Sequence, residues 1–307
     1  AEGLKNAEGL KSMAQVRAFR RRQQRFGLAL TFPALIVFGI VIFYPFLASF
    51  RLAFFSVELL DPAPRFVGLE NFVKLGADAT FWRTWWTTIV YVAMTTGLTV
   101  MLGFGWAMIL TQSFRGRAIV RTVGLLPWVL PTTVTAFLWA WILNGQYGLL
   151  NSALLGAGAI RAPVVWLAEP VGAMAAIVLA KTWLSTPVAM AFFLAALQSV
   201  SSEEVDAARL DGCGDWGVIG HVIIPHILPT LIVVVVLQAM ANLQQTDTIL
   251  ALTRGGPARA TTVLSIEVYQ QAFVNWSTGM AAAIGVVWFA TIAVPAVIYL
   301  RRIFRET

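Results

Sequence analysis

The chain has 307 residues, of which 58% are hydrophobic and 12% charged, and carries a formal net charge of +7. Soluble proteins average about 45–50% apolar and about 25% charged residues, so this chain has too little polar surface to face water on every side, and its main solvent is lipid. The positive charge does not point to nucleic acid, because Lys and Arg cluster beside apolar runs as in membrane topology signals; the single cysteine, Cys213, excludes an internal disulfide framework and a multi-cysteine metal site.

The chain opens on a repeat. AEGLK at 1–5 recurs at 7–11 and Met13 follows, which reads as an added leader over 1–12 within a cytoplasmic tail that ends at residue 26. The apolar stretch beginning near Phe26 is too long for a signal-peptide core and lacks a small-residue cleavage site. Crossing the hydrocarbon layer takes about 20 apolar residues, and six stretches qualify: roughly 27–50, 85–110, 119–143, 171–197, 227–250 and 279–300. Each is predicted to be helical, since lipid offers no partner to free backbone groups, and no segment alternates over ten residues as a barrel strand would. The expected fold class is therefore all-α, an integral membrane protein of six spans with its membrane domain over 27–304.

Orientation follows from the cations. With both termini inside, fourteen Lys and Arg fall on the inner side, including Arg17, Arg20, Arg21, Arg22, Arg25, Arg115, Arg117, Arg121, Arg209, Arg301, Arg302 and Arg305. Seven fall outside, and Lys181 lies within a span. The positive-inside rule then predicts N-in and C-in. Prolines interrupt several spans; Pro127, Pro131 and Pro187 stand out because polar or aromatic residues surround them.

The inner segment 201–226 breaks the positive-inside trend: Glu203, Glu204, Asp206, Asp211 and Asp215 make it acidic. Such a loop serves a contact rather than topology. Ser202 and the following acids predict a capped helix start whose charges suit the helix dipole. That helix should run to Leu210, turn at Gly212 and Gly214, and be followed by a second short helix from Asp215 to His221 that Pro225 stops.

At this loop the chain resembles a known family. Asp206-Ala207-Ala208, three residues, Gly212, nine residues, then Val222-x-Ile224-Pro225 is similar to the Glu-Ala-Ala signature of permease subunits in binding-protein-dependent ABC importers, with Asp for Glu, Val for Ile and Ile for Leu. The resemblance implies a type I importer permease fold in which Glu203, Glu204, Asp206, Ala207, Ala208, Asp211, Gly212 and Pro225 couple the chain to an ATPase subunit. Leu252-Thr253-Arg254-Gly255-Gly256-Pro257, followed by Thr261-Thr262, resembles the fifth-to-sixth-span connection of the maltose and glycerol-phosphate permease subfamily. Leu125-Leu126-Pro127-Trp128-x2-Pro131 and Trp183-x3-Pro187 match it too. The implied partners are a second homologous permease, making a heterodimer, two ATP-binding subunits and an extracytoplasmic sugar-binding protein, all at a bacterial plasma (inner) membrane.

The chain has no Gly-x4-Gly-Lys-Ser/Thr phosphate loop, so it is expected to be no enzyme and to need no cofactor, with energy supplied by separate subunits. An ion-coupled secondary transporter would show more buried acids and an inverted repeat, and neither is visible.

The cargo path is read from polar residues within spans, which are costly in lipid. Gln238, Asn242 and Gln245 recur at helical spacing in the fifth span, with Gln244 and Asp247 alongside. Amides suit a sugar because each both donates and accepts. The resemblance places substrate contacts at Trp128, Thr132, Lys181, Leu184, Ser185, Asn242 and Gln245, with Trp128 able to stack on a pyranose ring. Lys181 departs from the family, which carries an amide there; it is expected to meet cargo hydroxyls or an anionic group, or to pair with Asp247. A disaccharide of maltose or trehalose type is the expected cargo, with glycerol-phosphate behind it because of Lys181.

Overall fold

The computed structural model describes residues 23, 30–58 and 61–306, with residues 61, 62 and 294–306 described in backbone only. The expected leader over 1–12 and the tail to residue 26 lie outside the described residues, Gln23 apart. Helix α1 (Leu30–Leu52) leads into a hairpin of β1 (Phe55–Glu58) and β2 (Asp61–Phe66), then α2 (Glu70–Ala77) and α3 (Ala79–Thr111). Next come α4 (Arg117–Val129), α5 (Thr132–Ile142), α6 (Leu149–Gly156) and α7 (Pro170–Leu197). Then α8 (Ser202–Leu210), α9 (Asp215–Leu243) and α10 (Asp247–Leu252) follow, and finally α11 (Leu264–Tyr269) and α12 (Thr278–Glu306).

Helices α1, α3, α7 and α9 are each long and apolar enough to cross a membrane. The fold is mostly helical, as expected. Helix α7 is the hub: 72% of its most apolar window is buried, against 28% in α3 and 22% in α9. A helix apolar all round is stable only when other helices surround it. Three apolar clusters hold the rest to it. Ala107 and Leu110 of α3, Met190, Phe193 and Leu197 of α7, and Val218, Ile223 and Ile227 of α9 form the first. Val205, Ala208 and Cys213 pack on that cluster, so the acidic loop is seated on three helix ends at once. Tyr91, Ile177 and Ala180 join Ile249 and Ile266 in the second, and Ala53, Phe81 and Ala283 belong to the third.

The stretch expected to be one third span, 119–143, is not a single rod. It is α4 and α5 bent by 101°. Leu130 is extended, with ψ of 136°, because the ring of Pro131 disfavours the helical conformation in the residue before it. Helix α5 restarts at once, with Thr135 N–H donating to the Pro131 carbonyl at 3.0 Å.

At the acidic loop, α8 spans Ser202–Leu210 as expected, but its cap is Ser201, whose hydroxyl accepts from Glu203 N–H at 3.2 Å, and not Ser202. Gly212 turns the chain at φ +88°. The expected second short helix does not stop at Pro225. It continues through a π turn, Ile219–Ile223, into α9. Ile224 N–H reaches back to the Ile219 carbonyl, so the hydrogen-bond register shifts by one residue just before a proline that has no N–H to give. The same device recurs in α1, where the π turn Gly39–Phe43 precedes Pro45. The fifth span also ends early, at Leu243, and Gln244–Thr246 break it from α10.

The hairpin was not expected. Its strands are antiparallel, Phe55 opposite Phe66, and those rings meet edge-on with centroids 5.4 Å apart, while Phe54 packs on Phe72 at 5.4 Å. Asn71 anchors it, donating to the carbonyls of Ala53 at 2.8 Å and Phe55 at 3.1 Å.

Candidate functional site

A cleft of about 390 Å³ opens between the α4–α5 elbow, α7 and α9. Lys181, Ser185 and Val188 line it at the three- and four-residue spacing of one α7 face, joined by Leu184. Leu237, Gln238 and Ala241 do the same from α9, and Trp128, Leu130 and Thr132 come from the elbow. The bend matters here, since it puts the last turn of α4 and the first turn of α5 on one wall. Trp128 is 61% exposed, leaving a broad indole face free.

Five expected cargo residues, Trp128, Thr132, Lys181, Leu184 and Ser185, meet in this cleft. Gln238, singled out by its spacing, joins them. Asn242, Gln245 and Asp247 do not line it. Asn242 is buried and donates to Thr96 Oγ1 on α3 at 3.0 Å. Gln245 follows the end of α9; it donates to Thr248 Oγ1 at 2.9 Å and its carbonyl accepts from Ser265 Oγ at 2.8 Å. The break after Leu243 is what removes Gln245 from the face shared by Gln238 and Asn242. Asp247 opens α10 and is exposed, and it forms no ion pair with Lys181. Among the described residues no hydrogen bond or ion pair reaches Lys181.

Sequence reasoning missed a row of hydroxyls on α3. Thr84, Thr88, Thr95 and Thr99, with Tyr91 among them, are all buried. Their spacing of four, seven and four residues is a helical face that could have been read directly. Thr88 Oγ1 accepts from Leu264 N–H at 2.9 Å, stitching α3 to α11.

The acidic loop presents a second surface. Glu203, Glu204, Asp206, Ala207 and Asp211 are exposed while Ala208 faces inward. Leu210 and Trp216 project beside them, 89% and 86% exposed. Arg209 closes the loop against Asp215 at 3.4 Å. Pro225 lies in the first turn after the π turn.

Across the molecule, the Gly-Gly-Pro connection folds on itself. Gly255 has φ +86°, and a β-carbon there would lie 2.7 Å from Thr262 Oγ1, so only glycine fits. Thr262 Oγ1 donates to the Gly255 carbonyl at 3.0 Å and Thr261 Oγ1 to the Gly256 carbonyl at 2.7 Å. Arg259 pairs with the buried Glu267, which also accepts from Gln271 Nε2 at 3.1 Å.

The chain is similar to known proteins along most of its length. Residues 99–305 match the model of a family described as binding-protein-dependent transport system inner membrane component. The trehalose/maltose transport system permease protein MalF of Thermococcus litoralis is 31% identical over 281 residues, covering 91% of this chain and 94% of that protein. The sulfoquinovosyl glycerol transport system permease protein SmoG of Agrobacterium fabrum is 30% identical over 270 residues, covering 88% of this chain and 87% of its own length. Among solved structures, a chain of a bacterial ABC transporter involved in the import of the acidic polysaccharide alginate superposes with a TM-score of 0.78 over 94% of this chain and 99% of that one, at 22% identity.

Proposed function

The chain belongs to the family of binding-protein-dependent transport system inner membrane components, and on that premise we propose that it is the permease subunit of an ATP-driven ABC importer for a carbohydrate, disaccharide-sized and of trehalose or maltose type. It crosses the bacterial inner membrane six times over 27–304, with the tail 1–26 and the C-terminus in the cytoplasm. The third crossing in this count is α4–α5 taken as one broken span, and the sixth is α12, whose Thr278–Ala293 portion is apolar. It works with a second permease, two ATPase subunits and an extracytoplasmic binding protein, and has no ATP site of its own.

The observation that carries the carbohydrate reading is the cleft. It brings an open indole face, Trp128, together with Thr132, Ser185 and Gln238, whose hydroxyls and amide both donate and accept. A sugar presents an apolar ring face edged by hydroxyls, and that combination suits it. The relatives named for trehalose, maltose and sulfoquinovosyl glycerol support the class. The seat of α8 on α3, α7 and α9 supports the coupling role: a push on the loop acts directly on the helix ends below the cleft.

A glycerol-phosphate cargo is the second reading, favoured by Lys181. The test is uptake of labelled trehalose, maltose and glycerol 3-phosphate by vesicles carrying the whole importer and its binding protein. ATP-dependent uptake of a sugar that Trp128→Ala lowers at least about tenfold is expected; uptake driven by an ion gradient without ATP would end this reading.

A further inference from the structure

Among the described residues Lys181 is the only charged one lining the cleft, and none of them forms an ion pair with it. The residue is 9% exposed, in the middle of the most buried spanning helix. Three N–H donors sit on that ammonium group, and among the described residues none finds an acceptor. Asp247, the acid expected to pair with it, is exposed and forms no ion pair with it. An ammonium group held in a membrane helix without a partner is costly, so such a residue is retained where something else supplies the negative charge.

The elbow adds a second positive feature to the same cleft. Helix α5 runs eleven residues from Thr132, and its cap position is Pro131, which offers no side-chain acceptor. Among the described residues no side chain caps the first N–H groups of α5, at the end of the helix where the dipole is positive. Thr132 of that turn and Lys181 line one cavity. The hydroxyls of a neutral sugar would accept hydrogen bonds there but leave the charge uncompensated.

We propose that the cargo is an acidic carbohydrate, a sugar bearing a carboxylate, sulfonate or phosphate, whose anion is held between Lys181 and the first turn of α5 while Trp128, Ser185 and Gln238 take the ring and its hydroxyls. This rests on the carbohydrate reading above and narrows its substrate class. It makes Lys181 a specificity-determining residue, one that chooses between charged and neutral cargo of the same size.

Binding to the assembled importer in nanodiscs, without ATP, tests it with three probes: trehalose, trehalose 6-phosphate and inorganic phosphate. The wild type should favour trehalose 6-phosphate over trehalose by about ten- to a hundred-fold, the worth of a charge-assisted hydrogen bond or two. Lys181→Met should erase that preference, and Lys181→Arg should keep it. Equal binding of the two sugars by the wild type, or a preference that survives Lys181→Met, overturns the inference and leaves the carbohydrate reading standing. Inorganic phosphate binding as tightly as the sugar phosphate, or no binding of either sugar, overturns the carbohydrate reading and this inference with it.

Discussion

Gly103 on α3 lies against Ala189 on α7 so closely that a β-carbon on Gly103 would stand 2.7 Å from the Ala189 β-carbon and 3.0 Å from the Met190 backbone nitrogen. Two helices approach this closely only where small residues face each other, and in lipid such packing replaces the hydrophobic drive that water would supply. The contact falls in the cluster that also receives the acidic loop, so it sets the spacing between the loop's seat and the cleft above.

Gly103→Ala should therefore destabilise the protein even though alanine is the better helix former. Separation of the helices is expected to cost about 1–3 kcal/mol, typical of an overpacked core. Thermal unfolding in detergent should show a lower midpoint, and Gly97→Ala, with open space around its position, should not lower it. An unchanged midpoint for Gly103→Ala would contradict the close approach.

His226 links three elements in the acidic region. Its Nε2 faces Ser199 Oγ at 3.3 Å, and its Nδ1 faces the Glu204 carboxylate at 3.8 Å. Ser199 Oγ already donates to the Ala196 carbonyl at 2.7 Å, so Nε2 must be the donor in the first contact. When Nδ1 carries a proton as well, the arrangement ties α8 to both the end of α7 and the start of α9. His226→Ala should change global stability by less than about 1 kcal/mol, since the pair is exposed, yet lower the cargo moved per ATP hydrolysed. Coupling equal to wild type would show that α8 is held by its apolar contacts alone.

The Arg259–Glu267 pair predicts an asymmetry. The Glu267 side chain is 10% exposed and that of Arg259 is 44% exposed. Removing Arg259 strands a buried carboxylate with Gln271 as its remaining partner, whereas neutralising the acid leaves an arginine that can reach water. Arg259→Ala should cost about 1–3 kcal/mol and Glu267→Gln clearly less. Equal losses in thermal unfolding would mean that the acid has another partner.

What the sequence disclosed, and what it hid, follows from what each signal measures. Hydropathy sums apolar content along the chain, so it found α7 almost to the residue and placed α8 by its acids and the Gly212 turn. It carries no direction, so the 101° bend at Leu130-Pro131 stayed invisible although both prolines drew notice. The hairpin escaped because four strand residues among prolines look like any exposed loop. Asn242 and Gln245 were legible as polar, but which way they face depends on Thr96 and Thr248, partners that only the packed helices bring near. Lys181 was conspicuous from the start, and its lack of a close acid was not.

The last prediction concerns the loop surface. Leu210 and Trp216 stand 89% and 86% exposed in a segment whose acids Glu203, Glu204, Asp206, Asp211 and Asp215 are exposed as well. Two large apolar side chains held out in water beside an acidic rim have the composition of an interface centre, with the acids steering a basic partner and the apolar pair supplying the affinity. In the importer reading that partner is the ATPase. Leu210→Asp and Trp216→Asp should each weaken retention of the ATPase on the purified permease by about tenfold or more, with little change in the permease's own melting, because neither side chain packs inside the chain. Asp206→Asn should act differently, slowing association and flattening its dependence on salt while leaving the dissociation rate nearly unchanged. Cys213, half-buried in the turn between them, gives an independent readout, since a docked ATPase should slow its reaction with a thiol reagent in the wild type and not in Trp216→Asp. If both aspartate variants retained the ATPase and protected Cys213 as the wild type does, the docking surface would have to lie elsewhere than on α8 and the start of α9.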